Sequence, residues 1–497
     1  MTGAIFMKLG RAPTTHRMVA GDGTGSAFMV FNIQVAVPPC YSHPGARKPA
    51  DSQEPARIGA DDHPSSGADR RHLIDRFRLM TLTPLLEESE DRARSGLPDL
   101  AAVLAAGSLV LITAVGLLWT KIVPPVVLAL AVLLLTAASL RERRVPMPDR
   151  LLAGLFGALV LWSGLGALWA IEPALALDRS VKLLFLLAPL LPLLSAPVAR
   201  LLGDSAIEPH YFLIFGLLIG GGLIIVEYLF DFPLHRLTHN TYDIENQYYN
   251  WAVHTRGVTY LVVLAWPAAA FLWLRRRPWA ALAMIGFAGS AVVVGFSTAA
   301  ALGVAGSLAT FAAARLAPRL TTLALGGGVV VVALLSLFLL PRLFQTLPTS
   351  GGGVPYSTHH RLEIYDFTGH RIAERPWLGW GADSARHLPV SAEELSHYQI
   401  FDRPPTHSHN PFLQAEVELG VPGPLFLVGL LLVVLIRIGR LHPPLRPFAL
   451  ACFSASFGIG LVSYSLWSGT WLVMLFVAVF GFYLLSARDT ARSGRPA

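Results

Sequence analysis

From about Leu100 to Leu485 the chain repeats one pattern, in which runs of fifteen to twenty mostly apolar residues are separated by short polar or basic joints. A helix rises ~1.5 Å per residue, so a run of about 20 crosses a hydrocarbon core of ~30 Å. The pattern places spans at Leu100–Trp119, Ile122–Leu140, Leu151–Ala170, Leu183–Val198, Tyr211–Phe230 and Val258–Leu274. Six more fall at Trp279–Phe296, Ala299–Ala314, Thr321–Leu340, Pro424–Ile438, Phe448–Trp467 and Trp471–Leu485. The expected fold class is therefore all-α, a polytopic transmembrane helix bundle of about 12 spans. Two longer polar stretches interrupt it, Asp231–Gly257 and, between spans 9 and 10, Pro341–Gly423. Residues 1–98 are rich in Pro, Gly, Ser and charge, show no sustained apolar period, and are expected to be a disordered cytoplasmic tail. That tail lacks the layout of a signal peptide, so the first span is expected to direct insertion. The expected organisation is a tail (1–98), a membrane domain (99–485) containing the long loop (341–423), and a short C-terminal tail (486–497).

Composition agrees: with 53% hydrophobic and 14% charged residues the chain is too apolar for an ordinary soluble globule. Its net charge of +7 would suggest nucleic acid in a soluble protein. Here the arginines cluster between apolar runs, where topology explains them, so membrane lipids and not nucleic acid are the expected surroundings. Arg141-Glu142-Arg143-Arg144, Arg275-Arg276-Arg277, Arg315 with Arg319, Arg437 with Arg440, and Arg488 with Arg492 all fall on one side of a twelve-span bundle. The positive-inside rule makes that side cytoplasmic, with both termini inside and the long loop outside. Cys40 and Cys452 lie in a polar tail and an apolar run, which suits neither a disulfide framework nor a cysteine–metal site.

The long loop carries more arginine than topology explains, and an outer arginine is a candidate anion ligand. Arg361 to Glu374 spaces apolar residues three to four apart and predicts a short amphipathic helix, ended by Pro376. It either lies on the bilayer to close the loop or presents Arg361 and Arg371 to a cavity. His407-Ser408-His409-Asn410-Pro411 then leads into a helical stretch, Phe412 to Leu419, stopped by Gly420 and Pro422. Asn410 suits the N-cap and Pro411 the first turn. The free N–H groups there, next to two histidines, could dock a phosphate or diphosphate, and histidine is matched to proton transfer near neutral pH. The bland alternative makes one histidine a capping or surface residue. A metal site from His359, His360, His407 and His409 is the competing use, but their spacing matches no compact zinc motif. In the smaller outer loop Arg256 follows His254 and the aromatics Tyr248, Tyr249 and Trp251. It is either a snorkelling interfacial arginine or a second phosphate donor.

Taken together, Arg361-Leu362-Glu363-Ile364-Tyr365, then Ile372-Ala373-Glu374-Arg375-Pro376-Trp377-Leu378-Gly379-Trp380-Gly381, then His407-Ser408-His409-Asn410, Leu413-Gln414 and Glu418-Leu419-Gly420 resemble the family of O-antigen ligases and related polymerases. His409-Asn410 followed, after nine residues, by Gly420 is the most telling part. The resemblance implies a membrane glycosyltransferase that takes glycan from an undecaprenyl-diphosphate carrier on the periplasmic face. The glycan passes to an acceptor hydroxyl such as that of lipid A-core, with no nucleotide sugar, metal or other cofactor. Arg256, Arg361 and His409 match the family's diphosphate-binding and catalytic positions; Arg386 and His407 match more weakly. Many relatives carry a Ser-Arg pair at the end of the seventh span, where this chain has Ser297-Thr298-Ala299. That contact is expected to be absent or supplied by Arg371 or Arg386. In this reading His409 accepts the acceptor's proton, His407 or Glu418 orients it, and Asn410 marks the helix N-terminus at the phosphate.

The same motifs leave O-antigen or exopolysaccharide polymerase and protein O-oligosaccharyltransferase as alternatives. A transporter or flippase would place ionisable groups at mid-membrane and show repeated halves. These spans are nearly free of charge apart from their edges and Glu227, and no repeat is evident.

Overall fold

A computed structural model describes residues 83–238, 247–346, 356–398, 400 and 403–493. The expected N-terminal tail up to residue 82 lies outside the described residues. Residues 83–98 of that expected tail are described and begin the first helix; the described residues as a whole are mostly helical, with no strand among them. The helices are α1 (Thr83–Val110), α2 (Val123–Glu142), α3 (Arg150–Leu165), α4 (Pro173–Leu187), α5 (Ala196–Gly203), α6 (Pro209–Leu229), α7 (Pro233–Thr238), α8 (Gln247–Leu274) and α9 (Pro278–Gly295). They continue as α10 (Thr298–Leu316), α11 (Pro318–Phe338), α12 (Leu340–Thr346), α13 (Tyr356–Glu374), α14 (Ala392–Leu395), α15 (Pro411–Leu419), α16 (Pro422–Arg440), α17 (Arg446–Ser463) and α18 (Gly469–Ser493).

Eleven of these are long and apolar enough to cross a membrane, and each coincides with an expected span. Two short expected runs, the eighth and tenth, are full helices of 19 residues, α10 and α16. The fourth expected span is different. Pro189, Pro192 and Pro197 fall within it, and proline removes a donor and clashes with the preceding turn. The chain there forms α4, a 3-10 turn at Leu191–Leu194, and α5, with a bend of 63°.

The bent pair makes contacts towards both ends of the bundle, as a broken span would. At its start, Arg179 of α4 pairs with Asp383 of the long loop. At its finish, Arg200 bonds Glu142 at the end of α2, and Asp204 pairs with Arg141. Glu208, at the start of α6, meets Arg275 from the end of α8 and Arg488 from α18, while Arg437 from the end of α16 meets Asp149 before α3. These ion pairs join the basic clusters into one face of the bundle, and the long loop lies at the other. The eleven helices give eleven candidate passes, and the bent pair, counted as one span, gives the twelfth that the hydropathy pattern expects.

Position within the bundle follows from burial. The α8 span is 89% buried and is the central helix; the α3 span is 11% buried and stands at the periphery. Arg256 lies on α8 near its loop-facing end, so the central helix carries an exposed arginine towards the loop.

Candidate active site

The long loop folds on cores of its own. Phe367, Trp380, Leu388, Tyr398 and Val417 form one, and Leu362, Tyr365 and Leu413 another. These residues come from α13, α15 and the segment between them, so the apolar face of the expected amphipathic helix is buried in the loop. α13 begins five residues before the expected Arg361 and ends at Glu374, ahead of Pro376 as expected.

Two motifs far apart in sequence are joined backbone to backbone. Trp380 N–H donates to Val417 O (2.9 Å), Gly381 N–H to Glu418 O (2.9 Å), and Val421 N–H to Pro376 O (2.9 Å). Gly379 and Gly420 both have φ of +68°, where a side chain is strained. A Cβ at Gly420 would stand 2.2 Å from Trp377 O, and one at Gly379 2.5 Å from Glu418 C. The spacing of the two motifs is therefore dictated by a close backbone crossing. Indoles from α3 and the turn after it clasp the crossing: Trp162 Nε1 donates to Leu419 O (2.9 Å) and Trp169 Nε1 to Leu378 O (2.9 Å).

α15 starts as its sequence requires. Asn410 Oδ1 accepts from the N–H groups of Phe412 (3.0 Å) and Leu413 (3.2 Å), and Pro411 occupies the first turn. Asn410 Nδ2 also donates to Ser336 Oγ (3.0 Å), fixing the helix start to α11. The residue before this cap, His409, has φ of +52°, a left-handed conformation uncommon outside glycine. It brings the His409 ring to 4.0 Å from that of His407, centroid to centroid, and His360 of α13 lies 6.4 Å from His409. His407 Nε2 and His409 Nδ1 are buried and have no hydrogen-bond partner among the described residues.

Cations surround this pair. Arg361 Nη1 donates to Ser357 O (3.1 Å) and Nη2 to Val462 O (3.4 Å), which ties α13 to the end of α17 and leaves Nε buried without a partner. Burial lowers the His407 pKa to about 4, helped by the charges of Arg256, Arg361 and Arg386. Burial likewise lowers His409 to about 3, with His407, Arg361 and His360 adding to it. His360 is lowered in the same direction, chiefly by burial. Five expected site residues, Arg256, Arg361, Arg386, His407 and His409, thus act on one another, with Asn410 at their edge. His360 joins them; the sequence grouped it with His407 and His409 only through the competing metal-site reading.

Two expected residues lie elsewhere. Arg371 is buried, pairs with Glu374 and Glu394, and lies over the Phe367 ring at 5.0 Å. Glu418, at the far end of α15 from His409, accepts from Asp383 N–H (2.8 Å), Gln414 Nε2 (3.1 Å) and Trp467 Nε1. Burial pushes its carboxyl up to about 8 against these donors. Ser297, in the Ser297-Thr298-Ala299 run after α9, caps α10 by accepting from Ala300 N–H (3.3 Å). Among the described residues no three His, Cys, Asp or Glu side chains are grouped to hold a metal ion. On another face of α13, Phe344, Gln345, Asp366, His370, Glu393 and Tyr398 border a cleft of about 510 Å³. Its carboxylates disfavour an anion there.

The fold and site together define a multi-pass helical membrane protein with an imidazole and guanidinium centre built on a folded loop. Residues 282–428, from α9 into α16, match the O-antigen ligase family, so the resemblance read from the loop motifs holds and the chain carries a segment of that family. A protein of Rickettsia bellii named "Putative polysaccharide ligase" is 29% identical over 268 residues, 52% of this chain and 63% of its own length. One of Rickettsia conorii with the same description is 32% identical over 128 residues, 24% of this chain and 31% of its own length. The chain thus spans less than two thirds of the length of either relative.

Proposed function

We propose that this chain is an O-antigen ligase-type glycosyltransferase, moving glycan from undecaprenyl diphosphate to an acceptor hydroxyl of lipid A-core on the periplasmic face of the inner membrane. The observation that carries the reading is a pair of buried, neutral imidazoles with unpartnered nitrogens beside three arginine charges. A neutral imidazole accepts a proton, and fixed guanidinium groups hold a diphosphate through charge-assisted hydrogen bonds.

The reaction is a single displacement with inversion. The acceptor oxygen attacks the anomeric carbon of the donor sugar as the bond from that carbon to the diphosphate oxygen breaks. The proton of the attacking hydroxyl passes to the free nitrogen of His409, with His407 against its ring. Negative charge grows on the leaving oxygen, where Arg256, Arg361 and Arg386 stabilise it more than they do the ground state. Undecaprenyl diphosphate and the glycosylated acceptor are the products. The basic clusters are cytoplasmic in this arrangement, and the loop faces the periplasm.

A deletion strain tests the assignment. Lipopolysaccharide bare of O-units, with lipid-linked polymer accumulating, is the expected phenotype. Core carrying a single unit would make the protein a polymerase instead, and unchanged lipopolysaccharide would remove both.

A further inference from the structure

We propose that Arg179, acting through Asp383, is a positioning residue that sets Arg386 beside His407. Arg179 lies on α4, the first arm of the bent pair and remote in sequence from every site motif, and Arg179 Nε donates to Asp383 Oδ2 (2.6 Å). The Asp383 side chain is 5% exposed, and its backbone has φ of +58°, the left-handed region that aspartate visits more readily than most residues and that makes a sharp turn here. The turn is held from two sides. Arg179 grips its carboxylate, and Glu418 accepts its backbone N–H (2.8 Å).

The turn it controls leads straight into the site. Ser384 N–H donates to Gly381 O (3.3 Å) and His387 N–H to Ser384 O (2.8 Å), winding Ala385–His387 into a single 3-10 turn. Arg386 is the exposed middle residue of that turn, and its charge acts on His407. A swing about residue 383 would carry Arg386 with it. Glu418 and Gln414 anchor the other side of the same turn: Gln414 Nε2 donates to Glu418 Oε1 (3.1 Å) and to Ser465 Oγ (3.0 Å), and Gln414 Oε1 accepts from Leu466 N–H (2.9 Å). Arg386 is thereby held from α4, α15 and the α17–α18 joint together, and only the α4 contact is an ion pair that can be removed without touching the buried amide network.

This inference rests on the diphosphate-binding reading of the site. The test uses the purified full chain in proteoliposomes with an undecaprenyl-diphosphate-linked glycan and its acceptor, comparing Arg179→Gln, Asp383→Asn, Arg386→Gln and the double variant Arg179→Gln/Arg386→Gln. Each single change is expected to raise the donor KM roughly tenfold with the acceptor KM unmoved, the size of one lost charge-assisted contact. The double variant should be no worse than Arg386→Gln alone, because residues acting through one another are not additive. Losses that multiply in the double variant, or that fall equally on donor and acceptor along with the melting temperature, would overturn the positioning role. If the wild-type protein transfers no glycan, the ligase reading fails, and the same variants are then compared for affinity to inorganic pyrophosphate. Weakening by Arg179→Gln only when Arg386 is present would uphold the inference on its own; equal weakening in both backgrounds would end it.

Discussion

At the scale of single residues the proposed chemistry rests on His409. His409→Ala is expected to lower kcat of the proposed transfer by about 10²–10⁴, the usual worth of a general base, without unfolding the protein. Undiminished turnover in a folded variant would remove the catalytic role. Arg361→Lys keeps the charge but loses the planar fork, so a marked fall in kcat/KM for the donor is expected in the same assay. The pH profile is a sharper check. Burial and arginine charge favour the neutral imidazoles, so His407 stays a base down to about 4 and His409 to about 3. The acid limb of kcat/KM should therefore lie near pH 4 or below, not near the ~6.5 of ordinary histidine. The same shifts bear on stability. The unfolded chain takes up these protons below about 6.5, while the folded chain refuses them until about 4 and 3, so stability is lost as pH falls through that window. His409, Arg361 and the Asn410 cap were legible in sequence because motif and capping chemistry are local. The contact of His360 with His409, the Arg179–Asp383 pair and the pairing of Arg371 with Glu394 were not, because each depends on segments brought together only by the folded loop.

At the scale of elements, the spans were legible because hydropathy over some twenty residues is a strong signal. The bent fourth pass was read as one helix, although its prolines were visible, because apolar length alone does not report a bend. The loop's two glycine motifs could be seen but not explained: nothing in a sequence shows that Gly379 and Gly420 cross. Gly420→Ala forces a side chain into a left-handed backbone and against Trp377 O, so a loss of at least ~1–3 kcal/mol is expected, read as a lowered unfolding midpoint in detergent. Asn410→Ala removes a cap with two N–H acceptances and should cost about 1 kcal/mol, with turnover falling further as the His409 end of α15 loosens.

At the scale of the whole molecule, the ion pairs among the basic clusters mark one face and the folded loop the other. In a background without other cysteines, Arg144→Cys and Trp377→Cys should react from opposite sides of sealed vesicles, since both positions are exposed. Labelling of both from one side would break the twelve-pass arrangement. The crossing of Gly379 and Gly420 has one more consequence. It ties residues 382–416 into a noose whose knot is backbone and whose free contour holds Arg386, His407 and His409 near its two ends. Lengthening such a contour costs only ~0.6 kcal/mol per doubling. Insertions at exposed positions of the noose, such as Ser396 and His397, therefore leave the knot in place and the residues proposed for proton and diphosphate chemistry in register.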